Sequence, residues 1–106
     1  MKKIFFPTSY KKALLTGSKN TTVRINDEID KYKKEEIYKA FSYAGNDWDV
    51  NVKIDKVSKI KIKDLPKFGI PKKSFDSFKK KVGELSENYK VDLIKFHSLT
   101  HKDEKL

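Results

Sequence analysis

The sequence predicts an α+β fold: a mostly antiparallel β-barrel of about six strands with two or three helices, organised as one domain. Three observations carry that prediction. Polar and apolar residues alternate with a period of two in several short stretches, which builds half-buried strands and argues against a parallel sheet buried on both faces. Helix-spaced apolar residues occur only in short segments bounded by glycine or proline. The chain has 106 residues, 37% of them hydrophobic, which is enough for one core and too little for two. A barrel uses this inventory economically because closure removes exposed strand edges; an open α+β sandwich with both main helices on one face is the alternative.

Lys2–Phe6 is the first strand, ended by Pro7, which cannot donate a ladder hydrogen bond. Thr8 and Ser9 offer N-caps for a helix reaching about Thr16, in which Tyr10, Ala13 and Leu14 recur at helical spacing. Gly17 stands where a left-handed C-terminal cap is wanted. From Asn20 the period becomes two: Thr21, Val23 and Ile25 face one way and Asn20, Thr22 and Arg24 the other, giving a strand with a polar face. Asn26–Lys34 has Ile29 as its only aliphatic residue and reads as a loop or short surface helix. Glu36–Tyr43 is the next strand. Gly45-Asn46-Asp47 supplies the turn into Trp48–Ile54, where Trp48, Val50, Val52 and Ile54 alternate with Asp49, Asn51 and Lys53. Val57–Ile62 is a further strand, with Ile60 and Ile62 inward and Lys59, Lys61 and Lys63 outward. Asp64-Leu65-Pro66 opens a short helical turn that Gly69 and Pro71 interrupt. Ser74 caps a second helix with Phe75, Phe78 and Val82 on one face and Gly83 at its end. Tyr89–Phe96 is the last strand. The domain therefore spans 1–97, and 98–106 is too polar to pack and frays.

The formal charge is +10, and it is unevenly spread: Lys56–Lys81 holds ten Lys against only Asp64 and Asp76. Such a field attracts phosphate backbones, anionic nucleotides or acidic lipid surfaces. A plain lysine coat would give the same composition, since 24 of the 25 basic residues are Lys. Zero cysteines exclude a disulfide scaffold, a thiol nucleophile and Cys-ligated zinc. No apolar stretch approaches the ~20 residues of a membrane span, and Met1–Pro7 is far too short for a signal peptide. A soluble, cytoplasmic protein without a membrane partner is what remains. No phosphate-binding glycine loop, Ser-His-Asp arrangement or dinucleotide fingerprint occurs, and no cofactor is expected.

The segment with the most chemistry is Gly17-Ser18-Lys19-Asn20-Thr21-Thr22-Val23-Arg24. A glycine lets the chain reverse tightly, so that Lys19 emerges at the rim of whatever the strand faces. Thr22 and Arg24 project beside it. An ammonium, a hydroxyl and a guanidinium around one small volume suit an anionic or carbonyl-bearing ligand. Arg24 is also the single arginine of the chain, the one planar bidentate donor among 24 lysines.

This segment resembles the GxKxxxxR signature of ASCH domains, small members of the PUA-like superfamily. The order of strand, helix, signature, hairpin, later helix and terminal strand is similar over roughly residues 4–97. The short length resembles the single-domain ASCH proteins, among them the acetylcytidine amidohydrolases. The resemblance implies a PUA-like β-barrel whose cleft is lined by Gly17, Lys19, Thr22 and Arg24 and binds RNA or a nucleotide-like ligand. It implies an alternative too, an amidohydrolase acting on an acylated nucleoside, with Lys19 and Thr22 in the catalytic places. The glutamate that completes that family's machinery has no counterpart here, because 68–75 contains no acid. A lysine beside other cations can still serve as nucleophile or base once its pKa is depressed.

Lys59, Lys61, Lys63, Lys72 and Lys73 would extend the footprint along a phosphate backbone. Tyr43, beside the hairpin turn, is the candidate for stacking a base, whereas Trp48 belongs to the inward set of its strand. Phe5, Phe6, Phe75, Phe78 and Phe96 are spaced as core residues. His97 and His101 lie four apart without the intervening glutamate of a zinc protease, and no metal site is expected. Asp27, Glu28 and Asp30 read as a solvated turn, as do Glu35 and Glu36.

Overall fold

The alternating stretches become five strands: β1 (Lys3–Phe6), β2 (Thr21–Arg24), β3 (Ile37–Ser42), β4 (Asp47–Lys61) and β5 (Lys90–Leu99). They come from a computed structural model that describes residues 2–70 and 88–99. The expected helix from Ser74 to Gly83, and with it Lys72 and Lys73, lies outside the described residues, as does His101. The strands form one sheet in the order β1-β3-β4-β5-β2. The β3–β4, β4–β5 and β5–β2 pairings are antiparallel, and β1 runs parallel to β3. The protein is α+β.

The sheet is not closed into a barrel; β1 and β2 are its two edges. The expected strands 48–54 and 57–62 are one 15-residue strand, β4, whose register shifts between Ile54 and Lys56. The bulge takes up one residue, so Ile54 and Val57 both pack on the main core although they lie an odd number of positions apart. A strand has thus been removed from the expected count. Among the described residues no ladder joins the edges. Instead the Arg24 guanidinium donates through Nη2 to the Phe5 carbonyl at 2.8 Å, tying the two edge strands with a side chain.

Apolar clusters pack on both faces of the sheet, the second only around the Ile60–Val91 end. On one, Ile4, Phe6, Leu14, Tyr38, Val52, Ile54, Ile94 and Phe96 form the main core with Trp48. On the other, Ile62, Leu65 and Val91 form a smaller cluster with Val23, Ile25, Ile60, Ile70 and Tyr89 against it. Each buried aliphatic side chain contributes roughly 1.5–3 kcal/mol. The strand expected to end at Phe96 continues: Ser98 and Leu99 pair with Val52 and Asn51, and the Ser98 hydroxyl donates to the Leu14 carbonyl. Fraying therefore cannot begin at Ser98.

Helix α1 (Lys11–Thr16) is shorter than expected, because Thr8–Tyr10 is a 3-10 turn. Neither Thr8 nor Ser9 caps it; Tyr10 holds the N-cap position without a side-chain bond. Its C-terminus follows the expectation, with Gly17 left-handed at φ 79°. Asn26–Glu28 is a second 3-10 turn, and Ile62–Phe68 is a third 3-10 segment around Pro66, closed by left-handed Gly69.

Candidate functional site

Gly17 bends the chain out of α1, and the Lys19 amide returns to the Ala13 carbonyl at 3.0 Å. The bend sends the Lys19 side chain back across the helix, where its Nζ stands 4.8 Å from the centroid of the Tyr10 ring. β2 then presents Thr22 and Arg24 to the inner face, opposite Ile94 and Asp92 of β5. Both are buried, at 8% and 4% exposure, which for an arginine demands partners. The guanidinium lies between aromatic faces, 5.0 Å from the Phe6 centroid and 5.3 Å from that of Tyr32. Phe6 and Tyr10 are themselves in contact, at 6.4 Å between centroids. A continuous aromatic floor thus runs beneath both cations.

The three signature side chains share this face, and each has donor capacity left over. Lys19 is half-buried, and its ammonium has no carboxylate partner among the described residues. Burial lowers its pKa below the ordinary lysine value, and the nearby Arg24 charge lowers it further. The Thr22 hydroxyl makes no hydrogen bond among the described residues. Nε of Arg24 is buried and has no acceptor. The uncovered Lys19 ammonium and the unaccepted Arg24 Nε suit an anionic or carbonyl-bearing ligand, with the Thr22 hydroxyl on the same strand face as Arg24.

The far side of Arg24 is engaged. Nη1 faces Glu28 Oε1 at 3.5 Å, and the same carboxylate accepts from the Tyr32 hydroxyl at 3.1–3.2 Å and pairs with Lys31 at 3.1 Å. Burial above all pushes the Tyr32 phenol far up from its ordinary value, so it stays a donor. Glu28 and Asp30 were expected on a solvated turn. They instead dock a strap onto the sheet. Asp30 adopts a left-handed backbone (φ 65°), its amide donates to buried Asp92 at 2.7 Å, and its carboxylate meets Lys59. Lys59 also pairs with Asp92 directly across the ladder.

The remaining sequence-derived residues divide accordingly. Tyr43 is 64% exposed, stacks on Phe5 at 6.3 Å, and sends its amide to the Phe6 carbonyl, which places it beside the Arg24–Phe5 contact. Lys59 is held by two carboxylates, Lys61 is half-buried and Lys63 exposed. His97 pairs with Asp55 through Nδ1 at 2.9 Å. The sequence reading placed Tyr10 on a helix face and Glu28 on a solvated turn, and gave neither them nor Tyr32 a place at the site. A lone tyrosine in an otherwise polar segment was the one signal for the docked strap. No family model matches this chain, and no curated protein and no solved structure matches it.

Proposed function

We propose that the protein is a small basic binding module of the ASCH type, an open relative of the PUA-like barrel, that takes RNA or a nucleotide-like ligand at Lys19, Thr22 and Arg24. The observation that carries this reading is that Lys19, without a carboxylate partner among the described residues, and Arg24, whose buried Nε has no acceptor, both lie over the joined Phe6–Tyr10 floor. A base carbonyl or phosphate oxygen would supply the acceptor those donors lack, and exposed Tyr43, stacked on Phe5, offers a ring to a more distant base of a longer ligand. A cytoplasmic location accords with such a partner. Filter binding of structured RNA across a salt series tests it. The expected result is affinity that falls with salt and falls about tenfold in Lys19→Ala or Thr22→Val. Affinity indifferent to salt and to both substitutions overturns it.

A second reading, amidohydrolysis of an acylated nucleoside, is favoured by one observation, the depressed pKa of Lys19. Thr22 and Arg24 would polarise the amide carbonyl. Glu28 is a carboxylate in the neighbourhood, but it contacts Arg24 rather than Lys19. Cytidine release from acetylcytidine, abolished in Lys19→Ala, is the outcome that would favour the enzyme over the binder.

A further inference from the structure

At the end of the β4–β5 ladder the charge pattern changes. Lys59 faces Asp92, an opposite-charge pair; two rows on, at the next pair on the same face, Lys61 faces Lys90. Like charges directly opposite each other destabilise a sheet. Neither Lys61 nor Lys90 has an ion-pair partner among the described residues. These two lysines line an open groove of about 380 Å³ together with Ile60, Lys67, Phe68 and the carboxylate-paired Lys59; Asp64, the one acid in its lining, lies 3.4 Å from Lys67. The volume falls within the range of small-molecule sites. Phe68 is 53% exposed and gives the groove an accessible aromatic wall beside its lysines. It is also firmly held: Leu65 and Ile62 of the same 3-10 segment are buried, and left-handed Gly69 closes the segment against the Pro66 carbonyl.

We propose that this groove is a second ligand site, one that binds a nucleoside monophosphate unit with its phosphate between Lys61 and Lys90 and its base on Phe68. A phosphate relieves the opposed charges, and a planar base covers the ring; a bare anion would leave Phe68 exposed and an apolar ring would leave the lysines opposed. The unit can come as a free nucleotide or as one residue of a single strand. The groove residues are distinct from Lys19, Thr22 and Arg24, so this site stands or falls independently of the signature cleft.

The test is an amide chemical-shift titration of the full chain with adenosine monophosphate, inorganic phosphate and a short oligoadenylate. Adenosine monophosphate is expected to shift the amides of Lys61, Phe68, Gly69 and Lys90. The double substitution Lys61→Gln, Lys90→Gln should weaken it about tenfold or more. Phe68→Ala should weaken it several-fold while leaving inorganic phosphate unchanged. An oligoadenylate that binds the same amides much more tightly than the monophosphate assigns the site to a strand; equal affinity assigns it to free nucleotide. The three altered residues are at the surface, and Lys19→Ala should leave these shifts intact. Shifts confined to other residues, or a monophosphate affinity no greater than that of phosphate and insensitive to Phe68→Ala, would overturn the proposal.

Discussion

Two stretches of the same sheet treat their cations in opposite ways. Under the strap at residues 26–31, Arg24 is met by Glu28, and Lys59 by Asp30 and Asp92. Lys19, at the mouth of the signature, and Lys61 and Lys90, at the end of the ladder, have no such partners among the described residues. A net charge of +10 does not say which cations are available to a ligand. Cross-strand register and the docking of one short loop decide it. The covered cations pin the strap and the β1 edge to the sheet, leaving Arg24 only its Nε for a ligand, whereas the uncovered ones are where a phosphate or carbonyl could first enter.

The largest effect should come from breaking the covered region. Arg24→Ala removes the tie between β1 and β2, empties the space between Phe6 and Tyr32, and leaves the Phe5 carbonyl without its donor. A loss of about 3 kcal/mol is expected, read from urea denaturation. Asp92→Ala should follow at about 2 kcal/mol, since it orphans the Asp30 amide and one arm of Lys59. Lys61→Ala, by contrast, should change stability by no more than about 0.5 kcal/mol. Equal losses at Asp92 and Lys61 would erase the distinction between the regions.

What the sequence made legible follows from how local each feature is. Alternation in 21–24 and 48–54 marked both strands and their faces, and the left-handed glycines at 17, 45 and 69 fell at the expected bends. The polar face of β2 was visible too, but not that it points into the core. The union of two strands into β4 was hidden because a bulge at Asp55 shifts the phase of alternation, which from sequence alone looks like a break. Glu28 and Asp30 looked solvated because their partners, Arg24 and Asp92, are brought to them by the sheet. Asp92 is 62 residues from the amide it accepts. Opposed lysines at 61 and 90 are invisible for the same reason.

A smaller effect of opposite sign sharpens the comparison at the uncovered end. Lys90→Glu replaces a like pair with Lys61 by an opposite one, and stability should rise by about 0.2–1 kcal/mol. The same variant should lose the shift response to adenosine monophosphate. Greater stability with lost binding would mark the native lysine as kept at the expense of the fold. Unchanged stability would mean that the two ammonium groups already avoid each other in solvent.

Lys19 offers the subtlest break, because pH should reveal it where a single measurement would not. Its folded pKa lies below the ordinary lysine value of 10.5, first through burial and then through Arg24. Between those two values the unfolded chain binds more protons than the folded one, so stability rises with pH across that window. The charged lysine is therefore a penalty at neutral pH that fades as the medium approaches pH 10.5. Lys19→Met keeps contact with the Tyr10 ring and removes the charge. Its melting temperature should exceed that of the parent at pH 7, and the gap should narrow once the pH passes the lowered folded pKa, closing toward 10.5. A gap that stays constant would mean the ammonium is fully hydrated, leaving nothing in the signature cleft for a ligand to replace.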